Sequence, residues 1–102
     1  MSKYLFPLTL LLMIFSYSDF VNNSSVKLDG KITDSLTGAP VSNAHIYIIK
    51  GELEAFSNNK GDFSIINPPP TPFTLQIEHN QYNSKLLKVT TTNEKLLIKL
   101  SK

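Results

Sequence analysis

Apolar and polar residues alternate along three segments of the chain, at 26–33, 73–78 and 95–100. A period of two places the apolar side chains on one face of a strand, whereas a helix would scatter them around its axis. We therefore predict a half-buried β-strand in each segment. β-branched and aromatic residues predict three weaker strands, at 53–57, 63–66 and 85–90.

We predict a seventh strand at residues 44–50. It differs from the others because neither of its faces is clearly polar. Ala44, Ile46 and Ile48 lie on one side of this strand, and His45, Tyr47 and Ile49 lie on the other. Strands of this composition are typical of the middle of a sheet. We expect a central strand that is buried on both faces.

Turn-forming residues separate the predicted strands. Ser35 to Pro40 and Asn58 to Asp62 each contain a glycine, and Asn67 to Pro72 contains four prolines. Glycine allows a positive φ and proline lacks a backbone donor, so these segments end strands. No segment after residue 25 predicts a helix. Seven short strands at intervals of about 8 to 12 residues predict an all-β fold, a seven-stranded antiparallel Greek-key sandwich.

The N-terminal segment has a separate composition, with Lys3 followed by an apolar run from Leu5 to Phe15. As a helix this run would extend about 16 Å, too short for a hydrocarbon layer of about 30 Å. We predict a signal peptide helix at 1–18 cleaved before Asp19, a linker at 19–25 and a domain at 26–102. Cleavage before Ser24 or Ser25, and retention as an anchor, stay open. The expected location is periplasmic, outer-membrane-associated or secreted.

The composition of the 102 residues excludes several kinds of chemistry. The chain has no cysteine, so it has no disulfide, no thiolate metal site, no cysteine nucleophile and no lipoprotein anchor. It has no arginine either, and its formal charge is +2. Removal of residues 1–18 leaves nine lysines against eight acidic side chains. This balance and the lack of a helix disfavour a nucleic acid partner.

Several motifs resemble those of carboxypeptidase regulatory-like domains. The first lies in residues 30–34, 36–41 and 44–48, and a second, 57–65, has an asparagine turn followed by glycine and phenylalanine. Tyr82 is found where the family has glycine–tyrosine. The resemblance covers about residues 26–100 and implies a prealbumin-like sandwich. In Bacteroidota such domains precede TonB-dependent outer-membrane receptors or follow peptidase domains, as accessory modules.

Two departures from the family pattern affect local backbone bends. Ser42-Asn43 replaces a proline–glycine pair before the second strand, and Gln81 replaces the glycine before the tyrosine. The motifs that match belong to turns and to the core, not to catalysis. Physically, we expect Asn58 to Asp62 to connect two strands as a hairpin and Phe63 to anchor the core beyond it.

The resulting functional hypothesis is a non-catalytic accessory module that binds a protein or glycan of the cell envelope. The expected contacts are exposed strand edges or the loops Ser35 to Pro40, Asn58 to Asp62 and Asn80 to Asn83. One alternative is a small carbohydrate-binding module, in which sugars would stack on Tyr47, Phe56 and Tyr82. A core position is the other interpretation of each of these three side chains. Another is the detached N-terminal extension of a TonB-dependent receptor.

We predict no catalytic, cofactor or metal site. His45 and His79 lack the glutamate three residues away that a zinc carboxypeptidase motif requires, so ordinary strand positions are expected for both. Lys60 occupies the place of an oxygen ligand if Asn58 to Asp62 is compared with a calcium loop. A transthyretin-related hydrolase would need an arginine, which the chain lacks.

Two surface features have simple structural interpretations. Lys27 and Lys31 share a face of the first strand, and Lys95 and Lys99 share a face of the last. If these strands are neighbours, a basic stripe would form that offers peripheral contact with a membrane or an anionic glycan. A solvated face is the alternative. The prolines of 68–72 match a polyproline ligand formally, but a stiff connector is expected.

Overall fold

The computed structural model describes residues 26–102, and all the secondary structure in this range is β-strand. The predicted signal peptide and linker lie outside the described residues, so these boundaries stay predictions. Among residues 26–102 no helix is long and apolar enough to cross a membrane. The strands are β1 (Lys27–Asp34), β2 (His45–Ile49), β3 (Leu53–Phe56), β4 (Asp62–Ile66), β5 (Phe73–His79), β6 (Tyr82–Val89) and β7 (Leu96–Leu100).

The seven strands form two sheets, which confirms the predicted β-sandwich. One sheet has the order β4-β1-β7 and the other has the order β3-β2-β5-β6. All but one of the ladders are antiparallel; β1 and β7 pair in parallel, with Ile32 opposite Ile98. The prediction of a purely antiparallel fold is therefore wrong for this pair. A parallel pair needs a long connection, and the five intervening strands provide it.

The core lies between the sheets and follows from the alternation along the strands. Inward positions of all the strands except β3 and β6 reach almost complete burial, and the last residue of β6 is also buried. The buried hydrophobic residues are Leu28, Ile32, Val41, Ala44, Ile46, Phe63, Ile65, Leu75, Ile77, Val89, Ile98 and Leu100. Removal of their apolar surface from water is the main force that holds the sheets together.

Phe63 is the core anchor that the sequence predicts, and it depends on a glycine opposite. In the β1–β4 ladder Phe63 is paired with Gly30, and its ring covers this position. A Cβ on Gly30 would overlap Cε1 and Cζ of that ring. The glycine is needed here because it leaves room for the aromatic ring.

The prediction that β2 is buried on both faces is wrong. The strand is central, between β3 and β5, but only Ile46 is fully buried, whereas His45 and Tyr47 are partly exposed. The physical reason is that the described fold has only two layers. The outer face of this sheet carries no third layer, so apolar composition on that side does not mean burial.

Two connections differ from the sequence prediction. Asn58 to Asp62 joins β3 to β4, which belong to different sheets, so it is a turn between sheets and not a hairpin. Asn80 to Asn83 is not a loop, because β6 begins at Tyr82 and leaves a two-residue turn after His79. A local pattern cannot show whether paired strands share a sheet. The proline segment is, as predicted, a connector, and it lies between β4 and β5.

Candidate functional site

The outer face of the four-stranded sheet brings aromatic and polar side chains from β2, β3 and β5 together. The β2–β3 register pairs His45 with Phe56 and Tyr47 with Glu54. The β2–β5 register pairs the same two residues with Glu78 and Gln76, and β6 adds Leu86 beyond Gln76. We call this set the outer face: His45, Tyr47, Glu54, Phe56, Gln76, Glu78 and Leu86.

Phe56 and His45 form a stacked pair on this face. Their rings are parallel within 5°, with centroids 4.5 Å apart. The His45 Nε2 lies 2.7 Å from Oε1 of Glu54. The centroid of the Tyr47 ring lies 4.9 Å from that of the His45 ring. Phe56 is nevertheless 61% exposed. The outer face therefore presents an aromatic ring that is held in place but open to solvent.

Hydrogen bonds fix the polar side chains around this pair. The Tyr47 hydroxyl donates to Oε2 of Glu78 at 3.2 Å, and the Gln76 amide donates to the same oxygen at 3.1 Å. Two effects raise the pKa of Tyr47: partial burial, which is the larger, and the hydrogen bond to Glu78. The bond to His45, with a second from the Gly51 amide, lowers the pKa of Glu54. Near neutral pH, the Tyr47 phenol therefore stays protonated and the Glu54 carboxylate stays ionised, which are the forms that these hydrogen bonds require.

A cleft of about 770 Å³ opens at the end of the outer face where β5 turns into β6. It is lined by the rings of His45 and Phe56, by Glu78, and by two loops. We call it the end cleft. The other lining residues are Ser42, Asn43, His79, Asn80, Gln81 and Ser84.

His79 ties the two loops of the end cleft together. Its Nε2 lies 3.0 Å from the carbonyl oxygen of Ser42, and its Nδ1 accepts a hydrogen bond from the Gln81 amide at 3.1 Å. This pair of bonds requires the neutral ring with the proton on Nε2. The loop before β2 and the β5–β6 turn are thereby held at a fixed separation.

Asn43 shapes the same cleft through its backbone. Its φ is 62°, in the left-handed region that glycine favours, and its amide donates to the Ser57 carbonyl at 2.9 Å. Asparagine tolerates this conformation better than most residues. Asn43 thus makes a left-handed bend, and it adds an exposed amide side chain to the cleft.

Phe56 also lines a second cleft, of about 510 Å³, on the side of β4. Asn58, Asp62 and Asn93 contribute to its walls. Because Phe56 belongs to both clefts, its ring forms the ridge between them. A ligand that covers this ring has polar side chains within reach on either side.

Tyr82, the third predicted aromatic contact, does not lie on the outer face. Its hydroxyl donates to Oδ2 of Asp34 at 2.9 Å, and its ring packs edge-on against His79. The other carboxylate oxygen of Asp34 accepts the amides of Leu36 and Thr37. Tyr82 therefore ties β6 to the turn after β1, which is a structural role.

The pKa values of this pair follow from the same bonds. The Thr37 and Leu36 amides, together with the Tyr82 hydroxyl, lower the pKa of Asp34. The bond to Asp34, with partial burial, raises the pKa of Tyr82. Near neutral pH, the Asp34 carboxylate and the neutral Tyr82 phenol therefore stabilise each other.

The predicted lysine stripe is only partly formed. Because β1 and β7 are neighbours, their outward lysines do share one face of the three-stranded sheet. Lys95, however, lies 3.3 Å from Oδ1 of Asp62, and Asp62 is paired with Lys31 across the β1–β4 ladder. Acidic side chains thus interrupt the stripe, which favours the interpretation of a solvated face.

The geometry near the histidines and the Asn58 turn suggests no metal chemistry. Among residues 26–102, no three histidine, aspartate or glutamate side chains converge as metal ligands would. The Asn58 side-chain oxygen accepts the amides of Lys60 and Asp62, so it already closes the turn. His45 lies on β2 and His79 ends β5, the ordinary strand positions that were expected. The absence of a catalytic, cofactor or metal site stays a prediction.

The sequence predicts Tyr47 and Phe56 as candidate aromatic contacts, and the structure places both on the outer face. The sequence does not predict the residues that surround them. His45, Glu54 and Glu78 join them only through the β2–β3 and β2–β5 registers. The one signal in the sequence is the alternation of polar and aromatic residues at 45, 47, 54 and 56. This spacing places the four side chains on one face of each strand, but it does not show that the two strands are paired.

Comparison with known proteins identifies the type of domain. A family model described as a CarboxypepD_reg-like domain matches residues 28–102, almost the whole of the described sandwich. The resemblance in the motifs is thereby confirmed. No curated protein matches the sequence.

Two similar solved structures are interface mutants of a type II Cohesin-X-Dockerin complex, Coh3ScaB with XDoc ScaA, from Acetivibrio cellulolyticus. A chain of the C-terminal interface mutant superposes with a TM-score of 0.60 and 18% identity, over 74% of this chain and 56% of that chain. For the N-terminal interface mutant the TM-score is 0.51 and the identity is 20%, over 76% and 53%. This chain thus spans about half the length of these structures, and the likeness is one of fold.

Proposed function

Because the chain belongs to the CarboxypepD_reg-like domain family, we propose that it is an exported, non-catalytic accessory module that binds a component of the cell envelope through its outer face. The observation that carries this proposal is the exposed Phe56 ring, stacked on His45 at 4.5 Å. An ordered aromatic ring at the surface is a typical anchor for recognition, because it provides a large contact area at low entropic cost.

The polar surroundings of Phe56 support binding rather than a role in the core. Glu54 and Glu78 keep their carboxylates on the same face, where they bond to His45 and Tyr47. Such fixed polar groups around an aromatic anchor give a contact its direction and its selectivity. Leu86, which is 68% exposed, extends the apolar part of the face onto β6.

Export is the second half of the proposal, and it rests on the apolar segment Leu5 to Phe15 with its short positive start. Cleavage before Asp19 would release the sandwich to the periplasm, the outer membrane or the medium. Intact-mass analysis of the protein from the envelope or the medium tests this half independently. A chain that begins at Asp19, Ser24 or Ser25 supports export, and a full-length chain in the cytoplasm contradicts it.

The binding half is tested by retention on an envelope fraction of the source cells. Residues 26–102, as wild type and as Phe56→Thr, are incubated with the fraction and the bound share is measured. Threonine retains a high strand propensity, so the substitution removes the ring while keeping β3. The matched control is Leu97→Thr, because Leu97 is 76% exposed on the opposite sheet.

We expect the wild type and the Leu97 variant to be retained equally, and the Phe56 variant to be retained at least about tenfold less, the loss of one anchor contact of about 1.4 kcal/mol. Circular dichroism and the Tm check that both variants are folded. Equal retention of all three proteins, or no retention of the wild type, contradicts the proposed binding through the outer face.

A further inference from the structure

We propose that the end cleft binds a neutral glycan, with a sugar ring stacked on Phe56 and its hydroxyls bonded by the two loops. This inference rests on the proposed function, since it names the class of ligand that the outer face would take. The cleft, of about 770 Å³, is large enough for one or two sugar residues.

The lining of the end cleft has the chemistry that sugar hydroxyls require. Its polar side chains are mainly hydroxyls and amides, which both donate and accept hydrogen bonds. No hydrogen bond within residues 26–102 engages the side chains of Asn43, Asn80 or Gln81, and all three are exposed. Their bonding capacity is therefore open to a ligand.

The charge of the cleft favours a neutral ligand over an anionic or a basic one. Glu78 is the one acidic residue among the lining residues, and no lysine lines the cleft. The Oε2 atom of Glu78 already accepts hydrogen bonds from Tyr47 and Gln76. An anionic polysaccharide would find no lysine here, and a basic peptide would find a single carboxylate, one oxygen of which is already engaged.

Phe56 supplies the apolar contact that sugar binding also needs. Sugar rings present C–H groups on one face, and these groups pack on aromatic rings. The stack on His45 fixes the orientation of Phe56, and the bonds of His79 fix the two loops beside it. This arrangement is preorganised, so a ligand would not have to order the site.

The second cleft allows a longer chain to continue past Phe56. It shares Phe56 with the end cleft, and its polar lining consists of amides and hydroxyls together with charged side chains of both signs: Asp29, Asn58, Asp62, Ser64, Thr92, Asn93, Glu94 and Lys95. We therefore expect an oligosaccharide to bind more tightly than a monosaccharide, because it crosses the ridge and reaches polar groups in both clefts.

The test is a titration of ¹⁵N-labelled residues 26–102 with maltohexaose, cellohexaose and xylohexaose, followed by amide chemical shifts. An anionic control, hexagalacturonate, is added under the same conditions. We expect at least one neutral oligosaccharide to shift the side-chain amides of Asn43, Asn80 and Gln81, and the anionic one to leave them unchanged.

Two variants separate the parts of the site. Phe56→Thr is expected to weaken the affinity at least about tenfold, and Gln81→Ala a few-fold, whereas the control Leu97→Thr binds as the wild type does. The Gln81 backbone amide, which bonds to His79, is retained in the alanine variant. Loss of side-chain contact is therefore measured without loss of the loop.

The outcomes distinguish this inference from the proposed function. Shifts in the end cleft that depend on Phe56 support the glycan. No shift with any neutral oligosaccharide, shifts on the Leu97 face, or tighter binding of hexagalacturonate overturn it. If Phe56 is still needed for envelope retention in that case, the outer face binds a ligand of another class and the proposed function stands.

Discussion

Ser57 is the one buried polar side chain among the described residues, and we predict that its hydroxyl is needed for the stability of the domain. The hydroxyl donates to the Val41 carbonyl at 2.7 Å and accepts from the Ala44 amide at 3.0 Å. It therefore ties the end of β3 to the loop that leads into β2.

The substitution Ser57→Ala leaves the Val41 carbonyl and the Ala44 amide without these partners. An unsatisfied buried polar group costs about 1–3 kcal/mol, so two such groups predict a loss of about 2–6 kcal/mol. The free energy of unfolding of a domain of this size is about 4–12 kcal/mol. The variant should therefore lose a large part of its stability, and its Tm should fall by at least about 8 °C.

Thermal and urea unfolding of residues 26–102, followed by circular dichroism, measure this effect. The matched control is Ser64→Ala, because Ser64 is exposed on β4 and its side chain has no hydrogen bond among the described residues. Its stability should change by less than about 0.5 kcal/mol. If the two serine variants have the same Tm, the argument that Ser57 is an essential buried link is refuted.

Three further predictions follow from other contacts. Gly30→Ala should cost about 1–3 kcal/mol, because the new Cβ displaces the Phe63 ring; chemical denaturation measures it, and an unchanged midpoint contradicts it. Asp34 has a lowered pKa, so its contribution to the free energy of unfolding is fully present above the ordinary pKa of 3.8 and is lost as the pH falls through the pKa of the folded state. In Asp34→Asn the denaturation midpoints at pH 6 and pH 3 should therefore lie closer together than they do in the wild type. An unchanged difference between the two midpoints contradicts this prediction. Tyr82 has a raised pKa, so its contribution to the free energy of unfolding is fully present below the ordinary pKa of 10.0 and is lost as the pH rises through the pKa of the folded state. Tyr82→Phe should remove this alkaline loss of stability, and a wild-type alkaline profile in the variant contradicts it.

Much of the fold could be predicted because its information is local. Alternation over 26–33 and 95–100 required one buried face in each strand, and Gly38 and Gly61, both with positive φ, mark turns that the sequence indicated. Phe63 could be identified as a core residue because it follows the Asn58 turn at a fixed distance. These features depend on a few neighbouring residues, so their pattern is visible in the chain itself.

The remaining features depend on which strands become neighbours. The parallel β1–β7 pair, the change of sheet between β3 and β4, and the exposed side of β2 all result from long-range pairing. The candidate site has the same origin, since His45 meets Phe56 through pairing across 11 positions and Glu78 across 33. The structural role of Tyr82 could not be predicted, because its bond to Asp34, 48 residues away, leaves no local signal.

The most direct test of the central claim is to locate contact on the outer face in living source cells. The photoreactive residue p-benzoylphenylalanine replaces Phe56 in one chain and Leu97, on the opposite sheet, in another, and both proteins are irradiated and analysed for covalent adducts. The account predicts adducts with an envelope component from position 56 and none from position 97. Adducts from position 97 alone, or from neither position, would contradict it.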